Sequence, residues 1–276
     1  MSLLRPIKSF VEGIDVLMIP MEDLYNIADN LQQSLSEVMI MALQEGIWPE
    51  SLVRNYSTIS AEQQISIIKS RVVIVGLGGL GGYLASLSAR AGIGNLVLVD
   101  GDAFDFSNLN RQVFCTSATI GENKASVAAK QCSLINPAIN AVVWETDFSI
   151  ENGMKILASS DLVMDGLDQI STRKTLLSIS SSMNIPLIHG AVRGWSGQVS
   201  IFLPESRIDF DHIYPENSSR SPVPSVLSSA VAIIASIQIQ EAIRLLCGYP
   251  LPNMNKLIFF DGEAISFHKV NLSSGI

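Results

Sequence analysis

Three observations predict a doubly wound α/β fold with a mostly parallel sheet, antiparallel strands at its C-terminal end and a helical N-terminal appendage. Two apolar runs, Val72–Val75 and Leu96–Val99, flank a glycine-rich turn and a helical pattern. Further short apolar runs then alternate with helical segments, at Ala141–Trp144, Leu162–Met164 and Pro186–His189. The run Gln198–Leu203 alternates in polarity as an antiparallel strand does.

The central unit is Arg71–Asp102, read as strand, glycine turn, helix, strand and acid. Val72–Val75 is short and β-branched throughout, the pattern of a strand buried on both faces. It breaks into Gly76-Leu77-Gly78-Gly79-Leu80-Gly81, and a helical pattern runs on through Ala91 until Gly92 and Gly94 stop it. Leu96–Val99 ends at Asp100. Such a unit binds nucleotides: glycines let the backbone approach phosphates, the helix N-terminus offers free N–H groups, and the acid accepts from a ribose hydroxyl.

Composition narrows the class. With 276 residues, 47% hydrophobic and 16% charged, the chain has ample material for one large core. The expectation from its apolar runs is that none reaches a membrane span. Ser225–Cys247 comes nearest and is interrupted by Gln238, Gln240, Glu241 and Arg244. The first fifteen residues lack the apolar stretch and cleavage site of a secretion signal. The three cysteines form no CxxC, which gives neither a disulfide framework nor a zinc pattern. A cytoplasmic protein is expected. The net charge of −8 argues against broad nucleic-acid binding.

Residues 1–58 form the expected appendage and 59–276 the main domain. Glu22–Asn30 and Ser34–Glu45 have helical spacing, and Met18, Met21, Met39 and Met41 read as core or dimer packing. Ser60 caps a short helix that feeds the first strand. Beyond Asp100, the block Ser107-Asn108-Leu109-Asn110-Arg111-Gln112 is too polar for a core strand. It reads either as a capped surface loop or as an anion clamp built on the forked donors of Arg111. A helix is expected from Gly121, with Lys124 in its first turns, where a cation opposes the helix dipole unless an anion is near. Asp165 and Asp168 follow a strand end on the ligand side of a parallel sheet. Either of them caps the next helix or serves a site, and Arg173 is placed to pair with one. The stretch 204–224 is polar and Ser- and Pro-rich, long enough to be functional or disordered. A helix over 225–246 and strands at Leu257–Phe260 and Ala264–His268 close the chain.

Taken together, GLGGLG (76–81), Asp100-Gly101-Asp102, SNLNRQ (107–112), Gly121 to Lys124 and Asp168 in DGLDQ resemble the E1-like activating-enzyme family of ThiF, MoeB and HesA. The resemblance covers about 59–271 and extends to the segments IPLIHGAVRGWSGQVSIF and EAIRLLCG. It implies a Rossmann-like fold, usually dimeric, that joins a carboxylate to AMP with release of pyrophosphate. Gly78, Gly79, Asp100, Asn108, Arg111, Gln112 and Lys124 would bind ATP, beside Gly76 and Asp102 of the same motifs. Asp168 would hold Mg²⁺. The acyl donor implied is the C-terminus of a ubiquitin-like sulfur carrier or a small acid of cofactor synthesis. A carboxylate is already ionised at neutral pH, so no general base is needed. Catalysis then rests on alignment and electrostatics from Arg111, Lys124 and the Asp168-held metal. The apolar helix from Ser225 and the Met-rich N-terminus are the expected dimer contacts.

Departures from the family pattern shape the expectation. The two CxxC pairs that bind zinc in many relatives are missing, so no zinc is expected. The loop 204–224 carries no cysteine, so no thioester is expected. Thr58 stands where a second arginine after Arg54 would reach a partner's ATP site, and Gln169 replaces the usual Asn. His189, His212 and His268 read as structural. Competing readings are a non-catalytic nucleotide-binding member of the fold, an NAD-dependent oxidoreductase, and a tRNA-modifying relative, which the acidic charge disfavours. The oxidoreductase has no use for SNLNRQ, Lys124 and Asp168 together.

Overall fold

Strand alternation divides the centre of the molecule into two apolar layers. The computed structural model describes residues 4–205, 208–214 and 225–272. Strand β4 (Arg71–Val75) pairs in parallel with β5 (Asn95–Val99) on one side and β7 (Leu162–Asp165) on the other. β6 (Asn140–Trp144) extends the sheet beyond β5, and β8 (Leu187–Arg193) extends it beyond β7, both in parallel. β9 (Ser196–Phe202), β10 (Lys256–Asp261) and β11 (Ser266–Asn271) then add antiparallel, giving eight strands in the order β11-β10-β9-β8-β7-β4-β5-β6. Val72 and Ile74 point into one core while Val73 and Val75 point into the other. Every side chain from Val72 to Val75 is thus buried, which is why the run is β-branched without a polar break.

The first layer holds α4 (Gly79–Ala91), α5 (Lys124–Ile135) and α8 (Ser228–Leu246), and the second holds α6 (Gly153–Leu157) and α7 (Ile170–Ser182). α8 packs side by side with α4 and across β8 and β9. This corrects one sequence expectation: at 19 residues α8 is long and apolar enough to cross a bilayer. It instead buries Ala230, Val231, Ile234, Ala235, Ile239 and Ala242 within the fold, with Gln238 and Glu241 among them. The face expected to meet a second copy is therefore largely spent on the chain's own core.

The appendage contains the two expected helices, α1 (Met21–Leu31) and α2 (Leu35–Gln44), the latter started by a capping box between Ser34 and Glu37. It also contains a sheet that the sequence reading missed. β1 (Ile7–Val11) and β2 (Ile14–Ile19) form a hairpin through Glu12 and Gly13, both at positive φ, and β3 (Trp48–Pro49) joins β2 in parallel. The turn lacks the usual Asn or Asp before Gly, so its signal was weak. Met39 is fully buried and Met18 and Met21 pack against the same core, in agreement with a core role, while Met41 is only partly buried. These residues share one continuous core with α3 (Ala61–Lys69), which is capped by Ser60 as expected, and with the first face of the main sheet.

Two further boundaries moved. α5 begins at Lys124 with Asn123 as its cap, because Gly121 sits in a turn at φ +85°. α7 is capped at Gln169 without a side-chain bond, so neither Asp165 nor Asp168 caps it. Of the long loop 204–224, positions 206–207 and 215–224 lie outside the described residues. Its described part includes a 3-10 turn, Phe210–His212.

One polar cluster interrupts the second core. Asp165 and His189 are register partners on neighbouring strands, so their side chains share a face, and Nδ1 of His189 lies 2.7 Å from Oδ2 of Asp165. The Tyr214 hydroxyl accepts from Nε2 of Gln198 and Nη1 of Arg173, each at 3.0 Å. Its own proton is then free to go to Nε2 of His189, also at 3.0 Å. That count puts the imidazole proton on Nδ1, facing the carboxylate. Burial holds the His189 pKa below its usual value of 6.5, so the native ring is neutral. The folded state therefore binds fewer protons than the unfolded chain once pH falls below 6.5, and stability should fall with it, by at most about 1.4 kcal/mol per pH unit from this group. Urea unfolding at pH 7.5 and 5.5 should show this loss, and His189→Gln should flatten it.

Candidate functional site

The site lies where the winding reverses. β5 and β6 lie to one side of β4 and β7 to the other, which opens a crevice beyond the carboxyl ends of β4 and β7. Gly76 leaves β4 at φ +84°, a conformation open to glycine at little cost. Its carbonyl is so close to α4 that a Cβ on Gly81 would fall 1.7 Å from the Gly76 oxygen. A Cβ on Gly166, just past β7, would fall 2.4 Å from the same atom. Three backbones thus touch at one point, and side chains there would force the crevice apart.

Asp100, at the end of β5, ties this turn to the next loop. Its Oδ2 accepts from Leu77 N–H at 2.6 Å and its Oδ1 from Asp102 N–H at 2.8 Å. Burial, opposed by those two bonds, nets a raised pKa for the carboxyl. The sequence reading gave Asp100 to a ribose; the structure shows it first as a brace for the glycine turn.

The polar block 107–112 folds back over the start of α4. The sites a Cβ would occupy on Gly78 and Gly79 lie 3.6 Å from Nε2 of Gln112 and 3.9 Å from Cγ of Arg111. Gln112 is buried, and its Oε1 has no hydrogen-bond partner among the described residues. Arg111 Nη1 donates to the Ser107 carbonyl at 2.8 Å and to Oδ1 of Asn110 at 3.0 Å, with no carboxylate in reach among these contacts. Asn108 is also buried, and its side chain serves its own turn: Oδ1 accepts from Asp105 N–H at 3.0 Å.

Lys124 is buried at the first position of α5, with Nζ 2.7 Å from Oδ2 of the largely exposed Asp102. The cation is held in place by the fold while its counter-ion is exposed and replaceable. Asp168 stands two residues past Gly166, exposed, with no hydrogen bond or ion pair to a described residue. Among the described residues, no three His, Cys, Asp or Glu side chains stand together as a ligand set. A lone free carboxylate does suit a hard cation that takes its remaining ligands from phosphate oxygens and water.

None of the cysteines has the surroundings of a nucleophile. Burial pushes the Cys132 thiol up to about 12 and raises Cys115 and Cys247 as well. Arg54 is exposed on a 3-10 turn (Glu50–Asn55), and Thr58 contributes its carbonyl to the Tyr249 hydroxyl at 3.4 Å. The sequence reading missed the participation of Gly166 and of Tyr214. The first shows only when β4 and β7 are seen as neighbours, and nothing local marks the second.

A sequence profile of the ThiF family matches residues 52–275. The chain is 32% identical over 218 residues to the molybdopterin-synthase adenylyltransferase of Escherichia coli (strain K12), covering 76% of this chain and 86% of that protein. It is 30% identical over 224 residues to a sulfur carrier protein adenylyltransferase of Thermus thermophilus, covering 78% and 83%. Among solved structures, E. coli MccB with AMPCPP and MccA superposes with a TM-score of 0.69 at 20% identity, covering 92% of this chain and 80% of that one. PaaA does so with a TM-score of 0.68 at 20% identity, covering 91% and 81%. Identity at that level speaks to the fold, and the match reaches into the N-terminal appendage. With the profile spanning most of its length and relatives at 30% identity or above, the chain belongs to the ThiF family of E1-like adenylyltransferases.

Proposed function

We propose that this protein uses ATP and Mg²⁺ to activate a carboxylate as an acyl-AMP, without passing the acyl group to a cysteine. The observation that carries the reading is the grouping of two cations, Arg111 and the buried Lys124, around a glycine turn at the switch point, with free Asp168 across Gly166. In this reaction a carboxylate oxygen forms a bond to the α-phosphorus while the bond to pyrophosphate breaks, and no proton moves. What the protein must supply is alignment of two anions and stabilisation of the departing charge.

In this reading the N–H groups at the start of α4 and the guanidinium of Arg111 face the phosphates. Lys124 exchanges Asp102 for a phosphate oxygen, and Gln112 Oε1 takes a donor from the nucleotide. Asp168 would hold Mg²⁺, which neutralises phosphate charge when bound. The acyl donor is the C-terminus of a sulfur-carrier protein, as the names of the relatives favour, or else a small acid. The fold likeness to MccB solved with MccA reaches into the appendage, so a peptide is a further donor worth supplying. A homodimer and a cytoplasmic setting complete the proposal.

ATP–pyrophosphate exchange with carrier proteins, peptides and small acids tests this. Exchange should depend on one carboxylate, and Asp168→Ala or Arg111→Ala should each lower it about 100-fold or more. Exchange that needs no acidic partner, or that survives both substitutions, would sink the reading. A variant with all three cysteines changed to serine should keep wild-type exchange, and hydroxylamine-sensitive acyl-protein should not accumulate. Light scattering at micromolar concentration should give twice the chain mass; a monomer rules out the dimer.

A further inference from the structure

We infer that Arg173 and Tyr214 are positioning residues that clamp the segment carrying Asp168 and link it to the turn from Phe210 to Tyr214. The inference rests on Asp168 being the carboxylate that faces metal and phosphate in the proposed reaction. Asp168 has no hydrogen bond or ion pair among the described residues, so its position depends on the residues before it. Gly166 N–H donates to the Val75 carbonyl at 2.9 Å. Leu167 N–H donates to Oδ1 of Asp165 at 2.9 Å, and the Leu167 carbonyl accepts from Nη2 of Arg173. Three of the four backbone polar groups from Gly166 N–H to Leu167 C=O are thereby tied to β4, β7 or α7.

Arg173 is the joint of this arrangement. Nη2 also donates to the Gly190 carbonyl of β8 at 3.3 Å, and Nη1 donates to the Tyr214 hydroxyl at 3.0 Å. Nε lies 3.3 Å from Oδ2 of Asp165, close enough for charge compensation though not aligned as a hydrogen bond. A buried carboxylate and a buried guanidinium neutralise each other there, which is the condition for keeping either away from water. One planar side chain thus spans two strands, the Asp168 segment and the loop, a span that the single ammonium of lysine cannot reproduce.

Tyr214 carries the connection outward. Its ring lies under the Arg173 guanidinium at 5.8 Å, and its hydroxyl closes the chain to His189 and Gln198. Phe210, in the 3-10 turn of the same loop, stacks edge-on against His189 with centroids 4.9 Å apart. The described segment from Phe210 to Tyr214 and the carboxylate of Asp168 are therefore linked through the same guanidinium, so displacing one loosens the other.

Tyr214→Phe keeps the ring and deletes the hydroxyl, and Arg173→Lys keeps the charge and deletes the fork. Amide hydrogen exchange at Leu167 should accelerate at least about tenfold in each, ahead of the global unfolding rate. The gain in ATP affinity on adding Mg²⁺, by calorimetry against EDTA, should shrink about tenfold, while affinity in EDTA stays at the wild-type value. Met39→Ala, which opens a cavity in the first core and touches none of the clamp residues, should leave both readouts unchanged under conditions where the protein stays folded. The clamp is overturned if Leu167 exchange is unaltered in Tyr214→Phe, or if it accelerates while the Mg²⁺ gain is kept. A wild-type protein whose ATP affinity does not respond to Mg²⁺ would instead refute the metal role of Asp168, and Leu167 exchange alone then decides the clamp.

Discussion

The contact on which the rest depends is the meeting of three backbones at Gly76, Gly81 and Gly166. Closing β4 against β7 brings the Gly76 carbonyl, the first turns of α4 and the exit from β7 within van der Waals range of one another. The crevice has its shape because no side chain intervenes. It also aligns the N-terminus of α4, with its unpaired N–H groups, toward the segment that carries Asp168. Asp100 secures the arrangement from the other side by accepting from Leu77, which ties the end of β5 to the glycine turn.

Charge is then laid over this frame unevenly. Lys124 is buried and fixed, while Asp102, its partner, is exposed. An exposed partner contributes little to stability, so the ion pair is readily exchanged for a better anion. Arg111 is satisfied by a carbonyl and an amide oxygen, neutral acceptors that a phosphate outcompetes. These are the properties expected of a site that waits for an anionic ligand. The buried pair of Asp165 and Arg173 is the opposite case: neither can be freed without stranding a charge, so that pair fixes geometry.

The sequence by itself determined the parts governed by local physics. The strand runs of the parallel sheet, the glycine turn, the cap at Ser60 and the order of motifs follow from side-chain period and backbone freedom within a few residues, and appear where expected, while the last strand begins at Ser266 rather than Ala264. Membership of the family was legible for the same reason, since its motifs are short and contiguous. The hairpin at Glu12–Gly13 escaped because its turn chemistry is atypical, and the start of α5 moved because Gly121 prefers a turn to a helix.

Only the tertiary structure decided what depends on register and on contacts far apart in the chain. Asp165 meets His189 because β7 and β8 pair with that offset; a slip of one residue would turn the two to opposite faces. Tyr214 lies 41 residues from Arg173, and nothing in its neighbours announces the bond between them. Whether α8 faces outward or inward was likewise undecidable from its composition, because burial against α4 is a property of the packed pair. Short-range signals select the elements, and the cost of burying polar groups selects how they are joined.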